Sequence, residues 1–187
     1  MRTLIVTENV TLDGVMEAPD LSYQSADMIG VNQPHMMAAD ALLPGRKTYQ
    51  EFAAFWPLQT DDQTGVAEYI NTVAKYVVSS TLDKADWHNT SILSGNLVEG
   101  ITALKRQNGK DIVVTGSGEL VWSLTREGLI DEYRLFIAPT VRGHGKRLFP
   151  DGIDAQKLQP VETRTFDSGV VLIRYWPAPD NDRGGTQ

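Results

Sequence analysis

The chain has 187 residues, of which 41% are hydrophobic and 22% are charged, and this composition is typical of a globular protein of one domain. The absence of cysteine excludes disulfides, thiolate nucleophiles and cysteine-ligated zinc, and it fits a reducing compartment. The net charge of −7 argues against a broad basic surface for nucleic acid. Because no apolar stretch approaches a membrane span and residues 1–6 lack a signal-peptide pattern, we expect a cytoplasmic protein without membrane or nucleic-acid partners.

The first half of the chain alternates between strands and helices. Residues 2–10 are apolar and β-branched and predict a buried strand that ends at an Asp13-Gly14 turn. Residues 18–33 are polar and contain breakers, so we expect a long mobile loop there, followed by a short helix over residues 35–40. Short strands are then predicted at residues 41–43, 76–78 and 91–93, and helices at residues 47–56, 64–73 and 97–107.

The second half predicts a strand at residues 111–115, a helix at 119–127 and a strand at 132–138. Residues 157–166 and 170–176 have alternating polarity and are joined by Asp167-Ser168-Gly169, which predicts an antiparallel hairpin. Residues 177–187 have the composition of a disordered tail. The pattern predicts one α/β domain over residues 1–176, with three layers, a mostly parallel central sheet and an antiparallel C-terminal hairpin at one edge.

One strand-to-helix junction has the composition of an anion site. A buried strand leads into Thr115, Gly116, Ser117 and Gly118, and a helix follows. Glycines allow a ligand to approach the backbone closely, and a helix N-terminus offers free N–H groups to a diphosphate. The dinucleotide fingerprint requires a third glycine where this chain has Val121, so the match to that fingerprint fails. A tight turn without a ligand is the alternative.

Two further junctions have related features. Gly45 leads into a helix that begins with Arg46, Lys47 and Thr48, and positive charge is unfavourable at a helix N-terminus unless an anion binds there. Another strand ends in Ser79-Ser80, whose hydroxyls can donate to phosphate. Solvated surface cations and a polar strand end are the alternatives for these two segments.

Taken together and in order, these segments resemble the dihydrofolate-reductase-like superfamily. Residues 45–49 resemble its glycine–arginine–x–threonine–aromatic motif, residues 77–80 its strand with two serines, and residues 114–118 its glycine-rich turn. Residues 145–150 are similar to its segment that ends in Phe-Pro. A closer resemblance, to the C-terminal reductase domain of riboflavin biosynthesis (RibD) and its uncharacterised bacterial relatives, is carried by residues 11–14, 129–132 and 137–139.

The resemblance implies a reductase that uses NADPH and forms a homodimer. The last strands also have apolar residues to spare for such an interface, at residues 170–173. It implies that residues 45–48 hold the ribose and phosphates, that Ser79 and Ser80 contact the 2′-phosphate, and that residues 115–118 hold the diphosphate. It also implies that Phe52 contacts the small-molecule substrate, and that Asp13-Gly14 begins a mobile loop over the nicotinamide. The proton donor is a water or a loop carboxylate, with Asp13, Glu17 and Asp27 as the candidates.

The chain departs from the family pattern at two positions. The acidic residue that grips the pterin in dihydrofolate reductase would fall near Ile29, with Asp27 close by, so we expect dihydrofolate to be a poor substrate. Glu119 stands where some family members have an arginine, which leaves the preference for NADPH over NADH open. The three histidines lack ligand spacing, and no metal site is expected. A nucleotide-binding protein of the same fold without turnover, or a purely structural domain, are the rival interpretations.

Overall fold

The structure is a computed structural model that describes residues 1–60, 62, 64–153 and 156–179. Eight strands lie within these residues: β1 (Leu4–Thr11), β2 (Ala41–Leu42), β3 (Ala74–Val78), β4 (Thr90–Leu93), β5 (Ile112–Val114), β6 (Glu132–Ala138), β7 (Leu158–Thr165) and β8 (Val171–Pro177). Five α-helices lie between them: α1 (Ala26–Met37), α2 (Arg46–Phe55), α3 (Val66–Thr72), α4 (Leu97–Arg106) and α5 (Gly118–Arg126).

The strands form a single sheet in the order β4-β3-β2-β5-β1-β6-β8-β7. The strands from β4 to β6 in this order pair in parallel, and β8 pairs antiparallel with β6 on one side and β7 on the other, so among the described strands only β8 runs opposite to the rest. This arrangement confirms the predicted mostly parallel sheet with an antiparallel hairpin at one edge. From β1 to β2 and on to β3, the chain moves toward the β4 edge of the sheet, and from β4 to β5 and on to β6 it moves back the other way. Because each crossover between parallel strands is right-handed, the two directions place helices α1–α3 on one face of the sheet and helices α4–α5 on the other.

The apolar core follows this division into two faces. Residues of β1 and β5 that point to one face pack with α4 and α5, and this cluster includes Leu4, Val6, Ile101, Leu104, Val121 and Leu124. On the opposite face, Ile5 and Val113 pack with Ile70 of α3. Met28 of α1 packs beside them on the C-terminal strands. The three-layer α/β architecture is therefore confirmed.

The expectation of a mobile loop over residues 18–33 is wrong for its second half, because α1 occupies residues 26–37 as one helix. Pro34 lies inside that helix, and its own carbonyl still accepts a hydrogen bond from the N–H of Ala38 (3.0 Å). Proline has no backbone N–H, so Pro34 cannot donate a hydrogen bond to the carbonyl of Gly30, four residues earlier in the helix. Gly30 is exposed, so a water molecule can donate to that carbonyl instead. Burial of Met28, only 3% exposed, holds the helix to the sheet.

The C-terminal hairpin is tied to the rest of the sheet by charge as well as by strand pairing. Arg174 on β8 donates to Glu132 on β6 (2.8 Å) and to Glu162 on β7 (2.9 Å), so one guanidinium joins three adjacent strands. Strand β8 continues through Pro177, and Ala178 donates to the carbonyl of Lys157 (2.9 Å). The remainder of the predicted tail, residues 180–187, lies outside the described residues. Within the part that is described, no helix is long and apolar enough to span a membrane.

The hairpin's contribution to stability is tested by Leu172→Ala. Leu172 is fully buried and packs against Met28, Phe136 and Phe166, so we expect the substitution to lower the free energy of unfolding by about 2–5 kcal/mol. The measurement is denaturant unfolding, with Val98→Ala as the control, because Val98 is 38% exposed on α4. Equal losses in the two variants would show that the hairpin does not pack as described.

Candidate functional site

The three predicted junctions meet at one edge of the sheet. The carboxyl ends of β3, β2 and β5 are adjacent, and direct hydrogen bonds join the segments that follow them. The N–H of Val78 donates to the carbonyl of Pro44 (3.0 Å), and the N–H of Gly45 donates to the Ser117 hydroxyl (3.0 Å). The Thr48 hydroxyl donates to the carbonyl of Gly116 (3.1 Å). The residues singled out at three separate places in the sequence therefore form one continuous surface.

Helices α2 and α5 both begin at this edge without a side-chain cap. Gly45 precedes α2 and has no side chain to offer, and the Ser117 hydroxyl before α5 accepts from Gly45 instead of capping its own helix. Helix α4 differs, since the Asn96 side chain before it accepts from the N–H of Glu99 (3.1 Å). The free N–H groups of two neighbouring helix termini are suited to an anion such as a diphosphate.

The glycine-rich turn before α5 requires glycine at two positions for different reasons. Gly116 has φ +72°, in the left-handed region that other residues adopt only with strain. Gly118 is closely covered, because a Cβ built on it would lie 2.8 Å from the sulfur of Met16. The turn thus depends on backbone shape at Gly116 and on close packing at Gly118, while half-buried Thr115 connects β5 to it.

Charged and hydroxyl groups surround this surface. Arg46 and Lys47 are exposed in the first turn of α2. Lys146 pairs with Glu119 (2.7 Å), and this pairing lowers the pKa of Glu119, so the carboxylate that would otherwise repel a phosphate has a cation beside it.

The two serines at the end of β3 differ in their surroundings. Ser79 accepts hydrogen bonds from the N–H groups of residues 81 and 82 (3.2 and 3.0 Å), and thus forms the turn after β3. Ser80 is exposed.

A cavity of about 270 Å³ lies beside the glycine-rich turn, at the carboxyl ends of β1 and β6. Its apolar wall includes Met28, Phe136 and Val170, and its polar wall includes the amides Asn9 and Gln24. The charged side chains that line it are Glu17, Asp20 and Arg142. Val15 and Glu17 line the cavity while Met16, between them, covers Gly118, so one short segment separates the cavity from the turn.

The structure distinguishes among the three candidate proton donors. Asp13 accepts from the Thr11 hydroxyl (2.6 Å) and from the N–H groups of Gly143 (2.8 Å) and Arg142 (3.1 Å), and these bonds lower its pKa, so it is an anion at neutral pH. These bonds also fix the beginning of the loop in which we expected mobility. Glu17 is the only one of the three that lines the cavity.

Asp27 has a structural role at the start of α1. Its carboxylate accepts hydrogen bonds from the Ser25 hydroxyl and from the N–H groups of Met28 (2.9 Å) and Asp167 (3.1 Å), and the bond from Ser25 is the main cause of its lowered pKa. Asp27 therefore joins α1 to the hairpin turn and does not line the cavity. Ile29, the position at which the pterin-gripping acid would fall, is 37% exposed.

Phe52 does not line the cavity either. It lies on α2 and packs edge-on against Trp56, with the ring centroids 6.2 Å apart. The assignment of Phe52 as a substrate contact therefore has no support from the cavity as it stands. Among the described residues, no group of three or more histidine, aspartate or glutamate side chains is arranged to hold a metal ion.

Sequence reasoning missed two residues in the second half of β1. Glu8 is an acid and Asn9 an amide in the middle of a strand that begins with the apolar run of residues 4–6, and this interruption is the signal that would have singled them out. Asn9 lines the cavity. Glu8 points to the opposite face, is 4% exposed, and lies against the N–H groups of Gly116 and Ser117. Burial raises its pKa to about 8.

The sheet order, the division of the helices between two faces and the paired helix termini together define an α/β domain of the dihydrofolate-reductase type. Comparison with protein families gives the narrower assignment. The model of the RibD C-terminal domain matches residues 2–172, and the chain belongs to that family.

Two Bacillus subtilis proteins, both uncharacterized, resemble the chain over most of its length. YyaP is 35% identical over 180 residues, covering 93% of this chain and 94% of YyaP. YwjB is 29% identical over 169 residues, covering 87% of this chain and 91% of YwjB.

Solved structures share the fold at low sequence identity. A candidate riboflavin biosynthesis protein from Shewanella sp. PV-4 superposes with a TM-score of 0.75 at 18% identity, over 94% of this chain and 99% of that one. A pyrimidine reductase-like protein from Corynebacterium diphtheriae gives 0.68 at 13%, over 96% and 93%. The Thermotoga maritima diaminohydroxyphosphoribosylaminopyrimidine deaminase/5-amino-6-(5-phosphoribosylamino)uracil reductase gives 0.66 at 15%, and this chain spans 57% of it.

Proposed function

We propose that this protein is an NADPH-dependent reductase that transfers a hydride to a small heterocyclic or carbonyl substrate. The observation that carries the proposal is the meeting of two uncapped helix N-termini beside a cavity at the carboxyl edge of the sheet. A dinucleotide has a diphosphate for such termini and a reactive ring for an adjoining cavity. Membership of the RibD C-terminal domain family and likeness to reductase folds support the same activity.

Each cofactor residue of the proposal has a distinct task. The turn of residues 115–118 and the start of α2 at Gly45 and Thr48 would hold the diphosphate against the first N–H groups of α5 and α2. Arg46 and Lys47, with Ser79 and Ser80 at the end of the neighbouring strand, supply charge and hydroxyls for the 2′-phosphate. When bound, the cofactor supplies the hydride; the protein binds it, orients it against the acceptor and keeps water out.

The cavity favours a planar substrate that carries no phosphate. Its charged lining consists of Glu17, Asp20 and Arg142, and the Arg142 side chain already donates to the carbonyl of Glu17. A phosphate in the cavity would therefore be repelled by the carboxylates of Glu17 and Asp20, while the guanidinium of Arg142 is already engaged in a hydrogen bond. Phe136 and Met28 provide an apolar wall, and the amide of Asn9 provides both a donor and an acceptor for a polar ring edge. Glu17 is the carboxylate placed to pass a proton directly or through a water.

The rival function, nucleotide binding without turnover, has one observation in its favour. Two of the three candidate proton donors, Asp13 and Asp27, are held in structural hydrogen bonds with lowered pKa values. A protein of this kind binds NADPH and never oxidises it. Single-turnover absorbance with a panel of heterocyclic and carbonyl acceptors separates the two functions.

We predict that NADPH stabilises the protein and that Arg46→Ala weakens NADPH far more than NADH. Ligand at about a hundredfold excess over its dissociation constant adds roughly 2.7 kcal/mol, or about 5–10 °C in melting temperature for a domain of this size. Arg46 is exposed at the proposed 2′-phosphate site, and a charge-assisted bond there is worth about 1.5–3 kcal/mol. Thermal shift with both nucleotides is the measurement.

The control for Arg46→Ala is Arg126→Ala, which removes an exposed charge from the far end of α5. It should leave both affinities unchanged. No shift with millimolar NADPH would sink the reductase proposal, whereas equal losses for NADPH and NADH in Arg46→Ala would move Arg46 away from the 2′-phosphate.

A homodimer is also proposed, with further hairpin residues added to those suggested by the sequence. Of residues 170–173, Val170 and Leu172 are buried in the chain's own core and have no surface to offer a partner, whereas Val171 and Ile173 are half-buried. The hairpin instead exposes Trp176 (49%) and Val161 (39%), and β7 ends the sheet with one unpaired edge.

We predict that sedimentation at micromolar concentration gives a dimer and that Val161→Glu gives a monomer, because a charge on the hairpin opposes burial of that face. Phe55→Glu on α2 is the control, since Phe55 is 52% exposed and lies away from the hairpin. A wild-type monomer, or dissociation by both substitutions alike, would contradict the hairpin interface.

We predict that dihydrofolate is a poor substrate. A site that lacks the hydrogen-bonding group for a substrate rejects it by factors of roughly 10⁴, and Asp27 is occupied outside the cavity. Steady-state turnover of dihydrofolate with NADPH is measured for wild type, Asp27→Asn and Glu17→Gln. Brisk wild-type turnover that collapses in one variant would overturn the prediction and identify the acid.

A further inference from the structure

Glu8 is a buried carboxyl group directly beneath the glycine-rich turn. It lies on β1 facing the α5 side of the sheet, where its neighbours along the strand are Val6 and Val10 and its partner across the strand pair is Leu135. The N–H groups of the turn lie against its carboxyl, yet its Oε1 has no hydrogen-bond partner among the described residues. A buried acid with one unmatched oxygen is costly and calls for a physical reason.

The surroundings favour the neutral form of this acid. Burial raises the pKa of Glu8 to about 8, and the N–H groups of Gly116 and Ser117 only partly oppose that rise. No charged side chain contributes to the shift. The titratable groups on the adjoining elements are Tyr133 on β6, Glu119 with its partner Lys146 at the start of α5, and Arg46 and Lys47 at the start of the neighbouring α2. At neutral pH the turn therefore rests on an uncharged group.

The ionised form would place a negative charge beneath the glycine-rich turn, because the N–H groups of Gly116 and Ser117 lie against Glu8, while the N–H groups that would face an anion are those at the start of α5. Helix α5 begins directly after these two residues, at Gly118, and its first N–H groups have no side-chain cap. A carboxylate in an apolar environment interacts strongly with a nearby charge because little water screens it. An anion above the turn and an anion below it would thus destabilise each other.

We propose that Glu8 is a positioning residue that controls anion binding at the glycine-rich turn: as the neutral acid it supports the turn, and as the carboxylate it repels the bound diphosphate. The proposal rests on the proposed function only in taking the anion to belong to a dinucleotide. It assigns a task to a residue outside the cofactor contacts, and it makes affinity depend on pH through a group that the ligand does not touch.

The sign of the dependence follows from linkage. An anion that binds only when Glu8 is protonated raises the pKa of Glu8 further. At a pH where Glu8 is ionised in the free protein, binding of the anion is therefore accompanied by uptake of one proton from solution. Affinity is then constant below a pH of about 8 and falls by up to about tenfold per pH unit above it. The 2′-phosphate of NADPH loses its last proton near pH 6, so its titration is complete before this range.

The test compares dissociation constants of NADPH, NADH and inorganic diphosphate between about pH 7 and pH 9 for wild type, Glu8→Gln and Glu68→Gln. Glu8→Gln keeps the size and a carbonyl acceptor but cannot ionise, and Glu68 is an exposed acid on α3. We expect affinity to fall with pH in wild type and in Glu68→Gln, and to stay level in Glu8→Gln. Parallel slopes in wild type and Glu8→Gln would overturn the proposal.

A second measurement needs only the wild-type protein. Calorimetric titration near pH 8.5, in two buffers of different ionisation enthalpy, counts the protons taken up on binding, and uptake approaching about one proton is expected. Zero uptake would overturn the proposal. Binding of NADPH with no pH dependence would defeat the role of Glu8 and leave the reductase function standing. An affinity for diphosphate whose fall with pH disappears in Glu8→Gln, together with no binding of NADPH, would support the role of Glu8 and defeat the reductase function. Binding of none of the three ligands would defeat both.

Discussion

The pairing of β1 on both sides is the constraint on which the rest of the molecule depends. Residues 4–6 pair with β5 on one side and residues 5–11 pair with β6 on the other, so the strand lies inside the sheet and its side chains alternate between two packed layers. Leu4, Ile5 and Val6 satisfy that condition as apolar residues. The strand then continues into Glu8 and Asn9, and the alternation of side chains sends one to each face. The glycine-rich turn, proposed to bind an anion, lies against Glu8, and the cavity is lined by Asn9.

Most of the proposed cofactor surface is backbone rather than side chain. The donors at the starts of α2 and α5 are N–H groups, and their placement follows from the order of β2 and β5 in the sheet. A site of that kind survives extensive sequence change as long as the strand order is kept. This accounts for the shared fold at 13–18% identity among the solved structures, and for the weakness of each sequence motif taken alone.

The sequence predicted the secondary structure correctly where apolar runs were unambiguous. It did not predict the segments whose structure depends on tertiary contacts. The β-branched run before Thr11 and the terminal alternation gave the strands to within about two residues. Helix α1 was missed because Pro34 and a polar composition argue for a loop, whereas burial of Met28 against the hairpin decides for a helix. The three junctions were found because glycine and hydroxyl residues mark strand ends. Phe52 and Asp27 were assigned by resemblance, and the packing of each lies outside the cavity.

The segment of residues 15–17 has a consequence for the order of events at the site. Val15 and Glu17 line the cavity, and the intervening Met16 lies over Gly118 at the turn. Three consecutive residues cannot move independently, so an occupant of the turn that displaces Met16 also reshapes the cavity wall. An occupant of the cavity would affect binding at the turn by the same coupling free energy, because a coupling between two binding equilibria is reciprocal. Each occupant would change the protein's affinity for the other by a common factor, without direct contact between them.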